Sequence, residues 1–145
     1  MNFTQNDIEF VKNLDVCEYK KIQLIAKNVL DEIKNFIKPE ISEKEIVEQC
    51  KFLLKKHGID ETWYYDCPAL VLLGSRSCLS VSGKNYVPSE EKVGKENLIT
   101  IDLSPLKDGV WGDCSRSIVV EDGIVKSEKI FIILKMVLLG NCSRR

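Results

Sequence analysis

Asp102 and Asp113 are the residues of this sequence with the clearest capacity for chemistry. Both fall within apolar, strand-like sequence, eleven positions apart, on either side of Ser104-Pro105-Leu106-Lys107-Asp108-Gly109. Aspartate is a poor strand former, so its presence there asks for a reason. The Pro and Asp-Gly of so short a connection predict a β-hairpin. With the turn centred between Lys107 and Asp108, Asp102 faces Asp113 and Ser104 faces Trp111. With Asp108-Gly109 as the turn, the aspartates become diagonal neighbours. Either register leaves both carboxylates on one face of the sheet, because strand side chains alternate with period two.

Like charges so placed repel unless something compensates them. Three compensations are open: a divalent cation, a nearby basic group such as Arg116, or exposure to water at a sheet edge. Carboxylates suit hard or borderline divalent ions, and paired carboxylates can bridge two of them.

The elements that must position this hairpin are legible upstream. Between Tyr19 and Ile37, apolar residues recur at Ile22, Ile25, Ala26, Val29, Leu30, Ile33, Phe36 and Ile37, the stripe of an amphipathic helix closed by Pro39. A second helix follows. Ser42 and Glu45 form a capping box, and Ile41 and Ile46 occupy the positions of a hydrophobic staple. Ile46, Val47, Cys50, Leu53 and Leu54 carry its apolar face. Lys55, Lys56 and His57 sit at the negative end of its dipole, and Gly58 supplies the C-terminal cap. His57 is thereby expected to be a helix-end residue rather than a ligand.

Beyond Gly58 the pattern becomes strand-like at Trp63–Tyr65, Leu70–Leu73, Asn97–Leu103 and Val110–Val120. Ser75–Gly94 reads as loop with at most a short strand at Cys78–Val81. A phosphate-binding loop at Gly74–Lys84 is disfavoured, because its glycines are too far apart and no Ser or Thr follows Lys84. The fold class is α+β, with two amphipathic helices packed on an antiparallel sheet.

Composition bounds the partners. The 145 residues are 44% hydrophobic and 30% charged with a net charge of -1, which fits one folded domain and disfavours nucleic acid and membrane as partners. Six cysteines without a C-x-x-C pair, and no signal-peptide pattern at Met1, predict reduced thiols and a cytoplasmic location.

Taken together, Asn97-Leu-Ile-Thr-Ile-Asp102 and Gly109-Val-Trp-Gly-Asp113-Cys-Ser-Arg116-Ser117 resemble the methionine aminopeptidase and Xaa-Pro peptidase family. These are the pita-bread metallopeptidases, with an aspartate closing one strand and a second eleven residues later in a Gly-aromatic-x-Asp-x-Ser/Thr-Arg-Ser/Thr setting. The resemblance runs from about Tyr19 to Gly123 and implies the N-terminal half of a pita-bread fold. It also implies two divalent ions (Mn, Co, Zn or Fe) held by two aspartates, a histidine and two glutamates, for hydrolysis of N-terminal peptide bonds. Asp102 would ligate one ion, Asp113 would bridge both, and Arg116 would orient the carboxylates from behind.

The histidine and glutamate ligands belong to the other half of that fold. Glu121, Asp122 and Glu128 follow the hairpin too closely to replace them. The family's substrate-contacting histidine has no counterpart between Cys78 and Glu96, where Lys84, Asn85 and Tyr86 have no assignable role. The expected organisation is therefore an extension over 1–18, a half-domain over 19–123 and a divergent tail over 124–145, apolar at Ile130–Leu139, as from truncation or a frameshift. Such a half is expected to be inactive alone and to need a complementing C-terminal half to act on a peptide substrate. The alternative is a non-catalytic interaction or dimerisation module, including a homodimer in which a second copy imitates the missing half.

Overall fold

The structure is a computed structural model in which residues 16–126 are described, together with Gln5 and Glu9. The apolar tail at 130–139 and most of the expected extension at 1–18 lie outside the described residues.

Helix α1 (Val16–Glu32) begins earlier than its apolar stripe suggests and tightens into a 3-10 turn at Ile33–Asn35. Ile22, Ala26, Val29, Leu30 and Ile33 are all buried, as the helical spacing predicts. Helix α2 (Glu43–Lys56) has the complete capping box. The Glu45 N–H donates to Ser42 Oγ at 3.2 Å, and the Ser42 N–H donates to Glu45 Oε2 at 2.8 Å. At its other end the Gly58 N–H reaches the Lys55 carbonyl (2.9 Å) and the Ile59 N–H reaches the Leu54 carbonyl (3.0 Å). That pair of bonds is a Schellman closure, with Gly58 at a φ of +77° and Ile59 buried behind it.

Strands β1 (Glu61–Thr62), β2 (Ala69–Leu73), β3 (Asn97–Leu103), β4 (Pro105–Lys107), β5 (Val110–Trp111), β6 (Cys114–Glu121) and β7 (Ile124–Lys126) form two antiparallel sheets. The larger has the order β2-β3-β6-β7, the smaller β1-β4-β5. Both helices cover one face of the larger sheet, where Ala69, Val71, Ile99, Ile101, Leu103 and Ile118 meet the helical stripes in one core. Each fully buried Ile or Leu there contributes about 1.5–3 kcal/mol of transfer free energy. The fold is α+β, as expected. After Gly123 the sheet continues through β7, joined to β6 by an Asp122–Gly123 turn with both residues at positive φ.

Two local expectations are corrected. Trp63–Tyr65 is not a strand: β1 stops at Thr62, and Tyr65 and Asp66 turn the chain at φ +49° and +55° ahead of Pro68. The three rings pack on one another, tilted at 5.3 Å for Trp63–Tyr64 and edgewise at 5.1 Å for Tyr64–Tyr65, instead of alternating across a sheet. The expected strand Val110–Val120 is two strands, parted at Gly112–Asp113. The loop reading of Ser75–Gly94 holds at Cys78–Val81, where a 3-10 turn at Gly74–Cys78 carries the chain away from β2 and no strand forms.

Tyr86 finds a role here. β2 is an edge strand, and the Tyr86 hydroxyl takes the place of a neighbour by donating to the Val71 carbonyl (2.8 Å) and accepting from the Val71 N–H (3.1 Å). Burial pushes its phenol pKa well up. Beside it lies Glu43, fully buried at the first turn of α2. Its carboxylate accepts from the Ser89 and Leu73 N–H groups and meets Arg76 Nη2 at 3.1 Å. A buried carboxylate persists only when its oxygens are satisfied in this way, and the bonds tie the long loop to the sheet.

Candidate metal centre

The hairpin register brings the two aspartates together. Asp108 and Gly109 hold φ values of +51° and +77°, the primed turn whose twist matches the strands it joins. Lys107 accordingly pairs with Val110 and Leu106 with Trp111, and the same register continues below as Leu103 with Cys114 and Asp102 with Ser115. The register in which Asp102 faces Asp113 and Ser104 faces Trp111 is therefore excluded. The diagonal arrangement is the one present, and both carboxylates occupy the face of the larger sheet turned away from the helices.

On that face lies a cleft of about 430 Å³. Leu70 and Leu72 of β2 and Thr100 and Ser115 of the hairpin line it with the two aspartates, and Trp63, Tyr64 and Leu79 to Val81 belong to the same lining. Asp102 is exposed on its open side, yet enough protein surrounds its carboxyl that lost hydration raises its pKa. The negative charge of Asp113, near enough to share a hydrogen bond, raises it further, and a bond from the Leu103 main chain opposes the rise in part.

Of the three compensations for this repulsion, Arg116 is eliminated. It lies opposite Ile101, on the helix-facing side of the sheet, and forms an ion pair with Asp31 of α1. The expectation that Arg116 orients the site carboxylates is thereby corrected. A strand residue one position out of phase with Asp113 and Ser115 points to the other face. Among the described residues neither Asp102 nor Asp113 has a basic partner. Exposure and a cation remain.

The donor set fits a hard or borderline divalent ion, since two carboxylates line one cleft as diagonal neighbours with no basic partner among the described residues. It is incomplete: among the described residues no group of three or more His, Cys, Asp or Glu side chains converges. His57 is the C-cap of α2 and meets Glu32 through Nε2, remote from the cleft's lining and in the helix-end role expected of it. Lys84 and Asn85 are exposed in a 3-10 turn outside the cleft's lining.

Several residues that shape the site carried no local signal. The Trp63 indole N–H donates to the Gly112 carbonyl (2.8 Å), and the Gln23 side chain bonds the Asp113 main chain, across 90 positions of sequence. A Cβ on Gly112 would sit 3.0 Å from Ile22 and 3.1 Å from Pro105, so glycine is what lets α1 approach the hairpin.

A helix pair backing an antiparallel sheet, with paired aspartates on the open face of its central hairpin, defines half of a pita-bread metallopeptidase domain. Residues 18–138 match the family model of Metallopeptidase family M24, and the chain belongs to that family. Methionine aminopeptidase of Staphylococcus epidermidis is 28% identical over 103 residues, covering 70% of this chain and 39% of the relative. That of Buchnera aphidicola subsp. Acyrthosiphon pisum is 28% identical over 122 residues, covering 78% and 44%. Among solved structures, the Xaa-Pro dipeptidase from Bacillus anthracis superposes with a TM-score of 0.66 at 25% identity, over 96% of this chain and 38% of that one. The prolidase from Pyrococcus horikoshii shares the fold, with a TM-score of 0.64 at 23% identity over 96% of this chain and 35% of its own. The chain thus spans less than half the length of these relatives. Among the described residues no helix is long and apolar enough to cross a membrane.

Proposed function

We propose that this chain supplies the two-aspartate half of a dinuclear metal centre that hydrolyses N-terminal peptide bonds. The observation that carries the proposal is the diagonal pair Asp102 and Asp113, facing a cleft with no basic partner among the described residues. Asp102 and Asp113 would be the residues of this chain that hold the divalent ions. Mn, Co, Zn and Fe are the ions that suit such a site. When bound, the ions supply Lewis-acid activation of a water and of the scissile carbonyl. The chain's own residues fix where that charge sits, and Trp63, Tyr64, Leu70 and Leu72 give the cleft an apolar wall against which a peptide's first residues would lie.

Two carboxylates by themselves would leave an ion's remaining positions to water, so these residues alone would not suffice for peptide hydrolysis. A complementing C-terminal half supplies the missing histidine and glutamates, with a second copy of this chain as the other source. The cytoplasm is the compartment in which the chain is proposed to act.

Calorimetric titration of the full chain with Mn²⁺, Co²⁺ and Zn²⁺, beside the Asp102→Asn and Asp113→Asn variants, tests the ligand assignment. Saturable heat in the wild type that falls in both variants supports it; equal heats in all three proteins overturn it. Light scattering that shows a monomer at high concentration excludes the second copy as the completing half.

A further inference from the structure

Asp113 lies at a break in the sheet. Its register partner across the hairpin is Ser104, between the pairs Leu103–Cys114 and Leu106–Trp111. Ser104 does not pair with it: the Ser104 N–H donates to the Pro68 carbonyl (3.1 Å), and the Ser104 carbonyl accepts from the Trp63 N–H (3.3 Å) and Thr62 Oγ1 (2.8 Å). The main-chain groups of Asp113 are therefore left without a ladder. Asp113 is exposed, yet these groups take a protein side chain as partner rather than water alone.

Both go to one side chain. Gln23 Nε2 donates to the Asp113 carbonyl at 2.6 Å, and the Asp113 N–H donates to Gln23 Oε1 at 3.1 Å. A glutamine side chain carries the same donor and acceptor as a peptide, so it can replace one residue of a neighbouring strand. The adjoining residue is held just as closely. The Gly112 N–H donates to the Pro105 carbonyl (2.8 Å), its carbonyl accepts the Trp63 indole, and Ile22, the residue before Gln23, packs against its Cα.

We infer that Gln23 is a positioning residue for the candidate metal centre: by clasping the Asp113 main chain from α1, it fixes the direction in which the Asp113 carboxylate enters the cleft. The inference rests on the reading of Asp113 as a metal ligand. The part is one that sequence spacing would not suggest, since Gln23 touches no carboxylate and lies on a different element. Groups that orient a ligand without touching the ion are worth about 10-fold in metal affinity elsewhere.

The test uses the full chain with Gln23→Met, which keeps the length of the side chain and removes both hydrogen bonds. Gln23→Glu keeps the acceptor for the Asp113 N–H, and Asp113→Asn serves as the ligand control. Hydrogen exchange by NMR reads the clasp, and Mn²⁺ titration reads its consequence. In Gln23→Met the Asp113 amide is expected to exchange roughly tenfold faster while Ile101 and Ile118 keep their protection, and Mn²⁺ affinity is expected to fall by about threefold to tenfold. Gln23→Glu is expected to retain the Asp113 protection. Unchanged Asp113 exchange in Gln23→Met overturns the clasp. A lost clasp with unchanged Mn²⁺ affinity overturns the positioning role. Equal Mn²⁺ affinity in wild type and Asp113→Asn overturns the ligand reading on which the inference rests, and is distinguished from the first outcome because the exchange readout needs no metal.

Discussion

Asp102 and Asp113 are diagonal, not opposite, neighbours across the central hairpin: Asp102 pairs with Ser115, and Asp113 stands two residues before that partner at the break between β5 and β6. The offset follows from the Asp108–Gly109 turn, and it changes what each carboxylate experiences. Asp102 sits in regular ladder and takes its environment from the sheet. Asp113 sits outside the ladder and takes its position from α1.

The raised Asp102 pKa has a consequence for stability in the absence of metal. In the folded chain this carboxyl holds its proton to higher pH than in the unfolded chain, so the favourable contribution is fully present below the unfolded value of about 3.9. It is lost as pH rises through the folded value. Above that pH the charged pair opposes folding, and Asp102→Asn is expected to stabilise the metal-free protein at pH 7 by up to about 1 kcal/mol. Thermal unfolding of both proteins from pH 3 to 7 checks this; wild type gaining on the variant as pH rises would contradict it.

The α2 cap makes a second prediction. Ser42 is fully buried, and its hydroxyl is the acceptor for the Glu45 N–H. Ser42→Ala is expected to cost about 1–2 kcal/mol, read from denaturant unfolding at pH 7. The Ser42 main chain and hydroxyl also hold the Glu45 carboxyl down to about 2. That contribution is present above the unfolded value of about 4.3 and is lost as pH falls toward 2, the opposite sign to that of Asp102.

Arg116 belongs to the helix side of the sheet. Arg116→Ala is expected to leave Mn²⁺ affinity within about twofold of wild type and to cost at most about 1 kcal/mol, because its partner Asp31 is largely exposed. A loss of Mn²⁺ affinity as large as that of Asp113→Asn would contradict the placement.

Much of the fold was legible because its signals are local. The stripe of α1, the Ser42–Glu45 box and the Gly58 cap each lie within a few residues and are where the spacing puts them, and the Asp108-Gly109 turn is one of the two the spacing allowed. The aspartates were legible through their spacing, and the register remained open only because two adjacent dipeptides could both centre a turn. What was hidden depends on contacts far apart in sequence. Nothing near Gln23 announces the Asp113 main chain, and nothing near Glu43 announces Arg76 and Ser89. Trp63–Tyr65 misled because aromatic residues signal strands only when a neighbouring strand is present to receive them; here the rings receive one another. Arg116 misled because its closeness to Asp113 in sequence says less than its strand phase.

Tyr86 links loop to edge strand through one hydroxyl. Tyr86→Phe is expected to lower stability by about 1–2 kcal/mol, since it strips the Val71 N–H and carbonyl of their partner. Faster amide exchange at Val71, with Ile101 in the adjoining strand unchanged, is the accompanying signature. Unaltered Val71 exchange would show that the edge is closed by something else.

The central claim is that the paired aspartates are the metal ligands of this half-domain, and paramagnetic broadening by substoichiometric Mn²⁺ tests it at the atoms concerned. In the full chain labelled with ¹⁵N, the amides of Asp102, Leu103, Asp113, Cys114 and Ser115 are expected to broaden first, and Asp113→Asn is expected to abolish that pattern. Broadening centred instead on the surface carboxylates around Glu45, Glu48 and Glu90, or an unchanged pattern in Asp113→Asn, would contradict the account.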